Sequence, residues 1–420
     1  MKIGYCGPFC DTNFGDYAML INDIYEIDES DVVLFSVSFE NIDIILERYL
    51  KEYNVKKCKV DVNYESDISD TKSYHVVYQK AIETPLEILQ YITNYSDVKE
   101  CVSGIETLVV TGGGYINKLW TAEHRKRRLY SILAVILIAG RMNKKIVFMS
   151  NTIGPFQDSL DFYELLFGEL QSVTWGIRDS ILSAKNLKKI GIEDNIVDVP
   201  DDLYFLNSKF EKKTYDEQLF HLVGKNDYLL LELYESVEFI EKEAQLLEEF
   251  SYKMDKIYHM KILFVAFDNK YGGKIQGTVM KKLVPSILSW NEEEMSFLPV
   301  EELEFLVDHA KFIVCQRYHL MVRALANNVP FMHVLKNVAG NKQYYYVKTL
   351  GIMKKIMAGI EYEDVFFIAT SFESALKLLI VKIQEIICFQ KDKFARKVKK
   401  ENESRQLEIR KQFIENYVKR

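Results

Sequence analysis

Arg317 and His319 stand one residue apart, with Tyr318 between them, and follow the apolar run Phe312-Ile313-Val314 by only a few positions. A guanidinium takes an oxyanion on two parallel N–H bonds, and an imidazole titrates near neutrality. Together they suit the binding of an anionic substrate and the movement of a proton on it. The apolar run reads as a buried strand, and the spacing of Leu320, Ala324 and Leu325 reads as a helix. The pair therefore falls at a strand's carboxyl end and near a helix N-terminus, where free N–H groups and the helix dipole favour phosphate or carboxylate. An arginine and a histidine near a turn can equally be solvated or locally bonded, so their company decides.

Other strand ends supply that company. The strand Lys2 to Cys6 runs into the loop CGPFCDTNFGD, which carries Asn13 and Asp16 and matches neither GxGxxG nor GxxxxGK[ST]. Leu108-Val109-Val110 leads to Gly112, Gly113 and Gly114, a turn stripped of every Cβ that lets backbone approach a ligand; tight packing alone is the other reading. The strand Ser172 to Arg178 ends in Arg178-Asp179-Ser180, with Asp179 or Ser180 able to cap the next helix. Lys342 follows the strand Pro330 to Leu335.

The elements that must position these residues alternate strand and helix through both halves, the pattern of an α/β protein with parallel, doubly wound sheets. Such sheets bind ligands at strand carboxyl ends, and two of them facing one another leave a cleft between. The division expected is a Rossmann-like domain over 1–208, a second over 209–388 carrying Arg317 and His319, and a basic helical tail over 389–420. Within the first domain 40–104 is blurred, either an insertion covering the cleft or an irregular connection.

Composition narrows the partners. A chain of 420 residues with 48% hydrophobic and 27% charged residues has the make-up of a soluble globular protein of about two domains. Its net charge of -7 argues against a general nucleic-acid binder. From Lys391 to Arg420 eleven Lys and Arg face five Asp and Glu, which reads as a solvated amphipathic helix or as a peripheral contact with an anionic membrane. The six cysteines are scattered, and the amino terminus lacks an apolar leader, so reduced thiols in a cytoplasm are expected. No metal-ligand cluster stands out, and the longest apolar run is too short to cross a bilayer.

In order along the chain, Asn13-Phe14-Gly15-Asp16, Gly112-Gly113-Gly114, Ile153-Gly154-Pro155, Arg178-Asp179-Ser180, Val199-Pro200-Asp201, and Arg317-Tyr318-His319 with Asn328-Val329-Pro330 resemble the polysaccharide pyruvyl transferase family. The resemblance spans roughly Lys2 to Gly351. It implies a GT-B-like fold and transfer of pyruvate from phosphoenolpyruvate to a sugar as a ketal, with no cofactor or metal. It also implies that Arg317 and His319 are the family's Arg-x-His, that Arg178 is its arginine of the Arg-Asp block, and that Lys342 is the lysine before a Leu-Gly pair, here Leu350-Gly351. Asp202 stands where the family commonly has Pro, and Tyr17 where it commonly has Glu; 40–104 and the basic tail have no counterpart.

The residue types fit that chemistry on their own terms. Phosphoenolpyruvate carries a carboxylate and a phosphate, which Arg178, Arg317 and Lys342 could bind from both domains, and Asn13, Asp16, Gly113 and Gly114 are further substrate-binding candidates. His319 is the candidate acid and base. His333 reads as structural or cleft-lining. The acceptor expected is a glycan or a lipid-linked glycan at the inner face of a membrane. The competing reading is a GT-B glycosyltransferase using a nucleotide sugar, for which Glu294 and Glu302 have the spacing but not the glycines of a Glu-x7-Glu motif.

Overall fold

The computed structural model describes residues 1–65, 81–211, 217–224, 227–268, 273–290, 297–336 and 343–420. Each half of the chain builds one parallel sheet. The first holds β1 (Lys2–Cys6), β2 (Asp31–Ser36), β3 (Asn54–Lys59), β4 (Thr107–Val110), β5 (Gly113–Ile116), β6 (Lys145–Ile153), β7 (Val173–Ile177) and β8 (Ile196–Asp198). Its order is β3-β2-β1-β4-β6-β7-β8, with β5 paired to β6. The second holds β9 (Tyr228–Leu231), β10 (Lys261–Val265), β11 (Leu288–Trp290), β12 (Phe312–Cys315), β13 (Phe331–Val334) and β14 (Ile368–Ala369), in the order β11-β10-β9-β12-β13-β14.

Both orders reverse at a central pair, β1 with β4 and β9 with β12. These reversals open crevices at the strand carboxyl ends, because the crossovers on either side leave in opposite directions. The loops that carry Asn13, Gly112, Glu232 and Arg317 are therefore brought to two facing edges. The fold is two Rossmann-like domains of GT-B type.

The domains touch through helix α1 (Phe14–Ile27), whose first turn meets the second domain: Phe14 N–H donates to the Phe267 carbonyl at 2.9 Å and the Tyr17 hydroxyl to that of Leu298. Arg48 and Tyr49, at the end of α2 (Asp43–Tyr49), both bind Glu301 in α4 (Val300–His309), the tyrosine at 2.7 Å. In chain order α3 (Glu123–Arg141) falls between α2 and α4 and packs on the first sheet.

Two expectations are corrected. Over its described residues 40–104 is woven into the first sheet, since β3 pairs with β2 along six residues. NVKKCK buries only Cys58 at the sheet edge and so carries no apolar run to mark it as a strand. The tail is helical as expected, with one face exposed, but its other face packs on the core. After α5 (Tyr318–Ala326) and α6 (Gln343–Ile356), helix α7 (Phe372–Lys399) starts in the second domain and runs without a break through the boundary expected at 388. Helix α8 (Asn402–Phe413) then packs on the first domain, with Arg410 fully buried among Asp23, Glu26 and Asp202. Lys397 is buried too, donating to the Leu325 carbonyl at 2.6 Å. Among the described residues no helix is long and apolar enough to cross a membrane, and all six cysteines are unpaired.

Candidate active site

Arg317 is the N-cap residue of α5, and the helix N-terminus beneath it is already filled. The Glu232 carboxylate, one residue past β9, accepts N–H from Gln316 at 3.0 Å and from Arg317 at 2.8 Å. It also pairs with Arg317 Nε at 3.2 Å, while Asp268 takes Nη2. The anion expected at this turn is thus the protein's own. Arg317 spans the cleft instead, giving Nη1 to Asn13 Oδ1 at 2.8 Å and lying 4.4 Å from the Tyr234 ring centre. Lys336 covers the same ring at 4.1 Å, and burial lowers its pKa to about 8.

His319, in the first turn of α5, reaches across to α1. A Cβ on Gly15 would fall 1.8 Å from His319 Nδ1, so only glycine leaves room for the imidazole. The residue is part-exposed, yet Nε2 is shielded and has no hydrogen-bond partner. Burial, and the charges of Arg178, Lys348 and Arg317, hold it well below the usual histidine range against the pull of Asp201.

Beside His319, with ring centres 5.5 Å apart, lies Tyr318 with two basic side chains on it. Arg178 is 4.7 Å and Lys348 3.9 Å from the Tyr318 ring centre, and all three side chains are buried. Arg178 is fixed by Thr152 Oγ1 at 2.8 Å and Asp201 Oδ2 at 2.7 Å. Burial, with Arg178 nearby, drives Lys348 well below the normal lysine range. Lys342 lies outside the described residues; Lys348 is the cation that the sequence reading missed. It is closer to Leu350-Gly351, and with Gly351 and Lys355 it shares one face of α6 by helical spacing. That face meets the first domain throughout: a Cβ on Gly351 would lie 2.6 Å from Asp179 Cβ, and Lys355 donates to the Val199 carbonyl at 2.6 Å.

The glycines serve packing first. Space for a side chain at Gly112 is taken by Asp202 Oδ2 and at Gly113 by the Tyr115 ring, and Gly113 and Gly114 lie in β5 rather than in a turn. Asp16 sits in the first turn of α1, where Asn13 Nδ2 donates to it at 2.7 Å. Asp179, not Ser180, accepts N–H from Leu182 and Ser183 at 2.7 and 3.0 Å, just ahead of the next helix. His333 is structural, fully buried between the Gln316 carbonyl and the Thr349 hydroxyl at 3.2 and 2.9 Å. Glu302 faces the Trp290 indole N–H at 3.3 Å inside the second domain. Among the described residues no three His, Cys, Asp or Glu side chains converge as a cation site.

A model of the polysaccharide pyruvyl transferase family matches residues 13–335. The chain belongs to that family. No curated protein matches it. Solved structures similar in fold include a putative UDP-N-acetylglucosamine 2-epimerase from Listeria monocytogenes, at 11% identity and TM-score 0.57 over 93% of this chain and 91% of that one. Anabaena HepE in complex with UDP-glucose is similar at 12% identity and TM-score 0.55 over 99% of each chain. The epimerase of Neisseria meningitidis bound to UDP-GlcNAc is similar at 12% identity and TM-score 0.54 over 95% and 100%. At such identities the likeness is one of fold.

Two departures from the pyruvyl transferase pattern find their reason in this fold. Asp202, in place of the family's Pro, accepts from Arg410 and from Ser150 N–H at 3.3 Å, and so anchors the tail that also lacked a counterpart. Tyr17, in place of Glu, reaches the second domain through Leu298.

Proposed function

We propose that this transferase moves pyruvate from phosphoenolpyruvate to a sugar of a surface polysaccharide or its lipid-linked precursor, forming a ketal and releasing phosphate. The observation that carries the reading is the placement of Arg178 and Lys348 on Tyr318 beside the unpartnered Nε2 of His319. Lys348 has no carboxylate within ion-pair distance among the described residues, and burial beside Arg178 disfavours its ammonium form, so the site lacks a negative charge that would hold that amine protonated. Phosphoenolpyruvate supplies that charge. Its anions would raise the pKa of His319, reversing the effect of the cations now around it. The imidazolium so formed is the acid for the enol carbon, and its conjugate base then takes a hydroxyl proton.

The test is thermal unfolding of the wild type and Lys348→Ala with phosphoenolpyruvate, UDP and UDP-sugars, together with phosphate release in the presence of glycan acceptors. Phosphoenolpyruvate at a hundred times its Kd stabilises by about 2.7 kcal/mol. That shift should appear in the wild type and largely vanish in Lys348→Ala. A response to a UDP-sugar and none to phosphoenolpyruvate would move the reading to glycosyl transfer.

A further inference from the structure

Ketal formation moves protons at two kinds of centre. The enol carbon C3 must gain a proton, and each of two sugar hydroxyls must lose one as its oxygen bonds to C2. His319 approaches from the second domain. On the first domain, the next residue after the glycine that receives its ring is Asp16.

The surroundings of Asp16 are unusual for a carboxylate beside arginines. Arg128 is paired with Asp11, and Arg317 with Asp268 and Glu232, so each neighbouring guanidinium already has a partner of its own. Among the described residues the Asp16 carboxylate accepts one hydrogen bond, from the Asn13 amide at 2.7 Å. It is a carboxylate at the cleft with proton-accepting capacity to spare. We propose, on the basis of the pyruvyl transfer reading above, that Asp16 is the base that takes the proton of the attacking sugar hydroxyl, as His319 delivers one to C3.

Atoms balance in this scheme. The first hydroxyl oxygen bonds to C2 as its proton passes to Asp16; the enol π pair takes the His319 proton at C3. The C2–O bond to phosphate then breaks with its electron pair on phosphate. The second hydroxyl bonds to C2, and its proton returns to His319. The proton on Asp16 leaves with the released phosphate, and both groups are restored. The carboxyl is suited to this cycle because burial lifts it to about 6, against the Asn13 bond and the charges of Arg128 and Arg317, with Asp11 pushing the same way as burial. Cys10, Tyr115 and Lys348 also lie within its electrostatic reach.

A structural role, holding Asn13 for Arg317, is the rival account, and Asp16→Asn separates the two because its carbonyl can still accept from Asn13. The expected result is a fall in kcat of about 100-fold or more, with an unchanged phosphoenolpyruvate-induced thermal shift and an unchanged KM for it. Turnover within about threefold of wild type overturns the proposal, and so does loss of the shift along with turnover, which would make Asp16 a donor-site brace. Should Asp16→Asn not fold, Asp16→Ser is read in the same way. A wild type that neither binds phosphoenolpyruvate nor releases phosphate from it overturns the underlying reading and this one together, and does so without any variant.

Discussion

Glu232 and Arg317 are joined twice, by the backbone N–H of Arg317 on one carboxylate oxygen at 2.8 Å and by its Nε near the other at 3.2 Å. The carboxylate thereby caps α5 and neutralises the residue that begins it, which turns a ready anion site into an internal brace. Glu232→Gln keeps a carbonyl for the two N–H groups and removes the charge. Hydrogen bonds to charged groups contribute about 1.5–3 kcal/mol, so a drop of several degrees in Tm is expected. Added inorganic phosphate should recover more of it in the variant than it adds to the wild type. Equal melting of the two proteins would show that the pairing contributes nothing.

Gly15 offers a sharper test of the cleft. Alanine normally favours a helix, yet here its methyl would displace the His319 ring. Misplacing a reacting group by about 1 Å can cost roughly 100-fold in rate. Gly15→Ala should therefore lose turnover by about that factor and keep its phosphoenolpyruvate-induced shift. Undiminished kcat would mean that His319 needs no fixed place.

Acid should weaken the fold through His333. Burial lowers its pKa from 6.5 to about 4, so the folded state binds the proton less readily than the unfolded one. Its contribution is complete above about 6.5 and is lost as pH falls towards 4, a difference of about 3 kcal/mol by linkage. His319 and other groups titrate as well, so the comparison is with His333→Gln. Between pH 7 and 4.5 the wild type should lose more Tm than this variant does; parallel curves would remove His333 from the acid response.

What the sequence disclosed and what it hid follow from range. The turn at Gln316-Arg317 was legible because an apolar run gives way to helical spacing within a few residues, and strand and helix fall at Phe312–Cys315 and Tyr318–Ala326. Glu232 was not, since its place at that turn depends on β9 and β12 lying side by side. Lys348 needed the register of α6, which shows only when Gly351 and Lys355 are seen to meet the first domain. Of the two readings open for Gly112 and Gly113, ligand approach and tight packing, sequence alone cannot choose, because the carboxylate and ring that take their space come from Asp202, far along the chain, and from the fold of Tyr115.

The tail gives the last case, and it bears on where the protein works. Arg410 meets Asp202 and also Asp23 and Glu26, at 2.8 and 2.5 Å, with Asp23 and Asp202 fully buried. Removing one partner of a buried pair typically costs about 3–5 kcal/mol, because the remaining charges lose their counter-ion. Arg410→Ala should therefore lower Tm by many degrees, and deletion of 400–420 should yield a chain that does not fold stably. A membrane contact through the tail must then rest on its exposed cations, such as Lys399 and Arg420, and is tested by charge reversal at these positions in the full chain. Vesicle binding lost on reversal with Tm unchanged would support the contact. A truncated tail that folds as well as the full chain would instead show that the Arg410 cluster is not what holds α8 to the first domain.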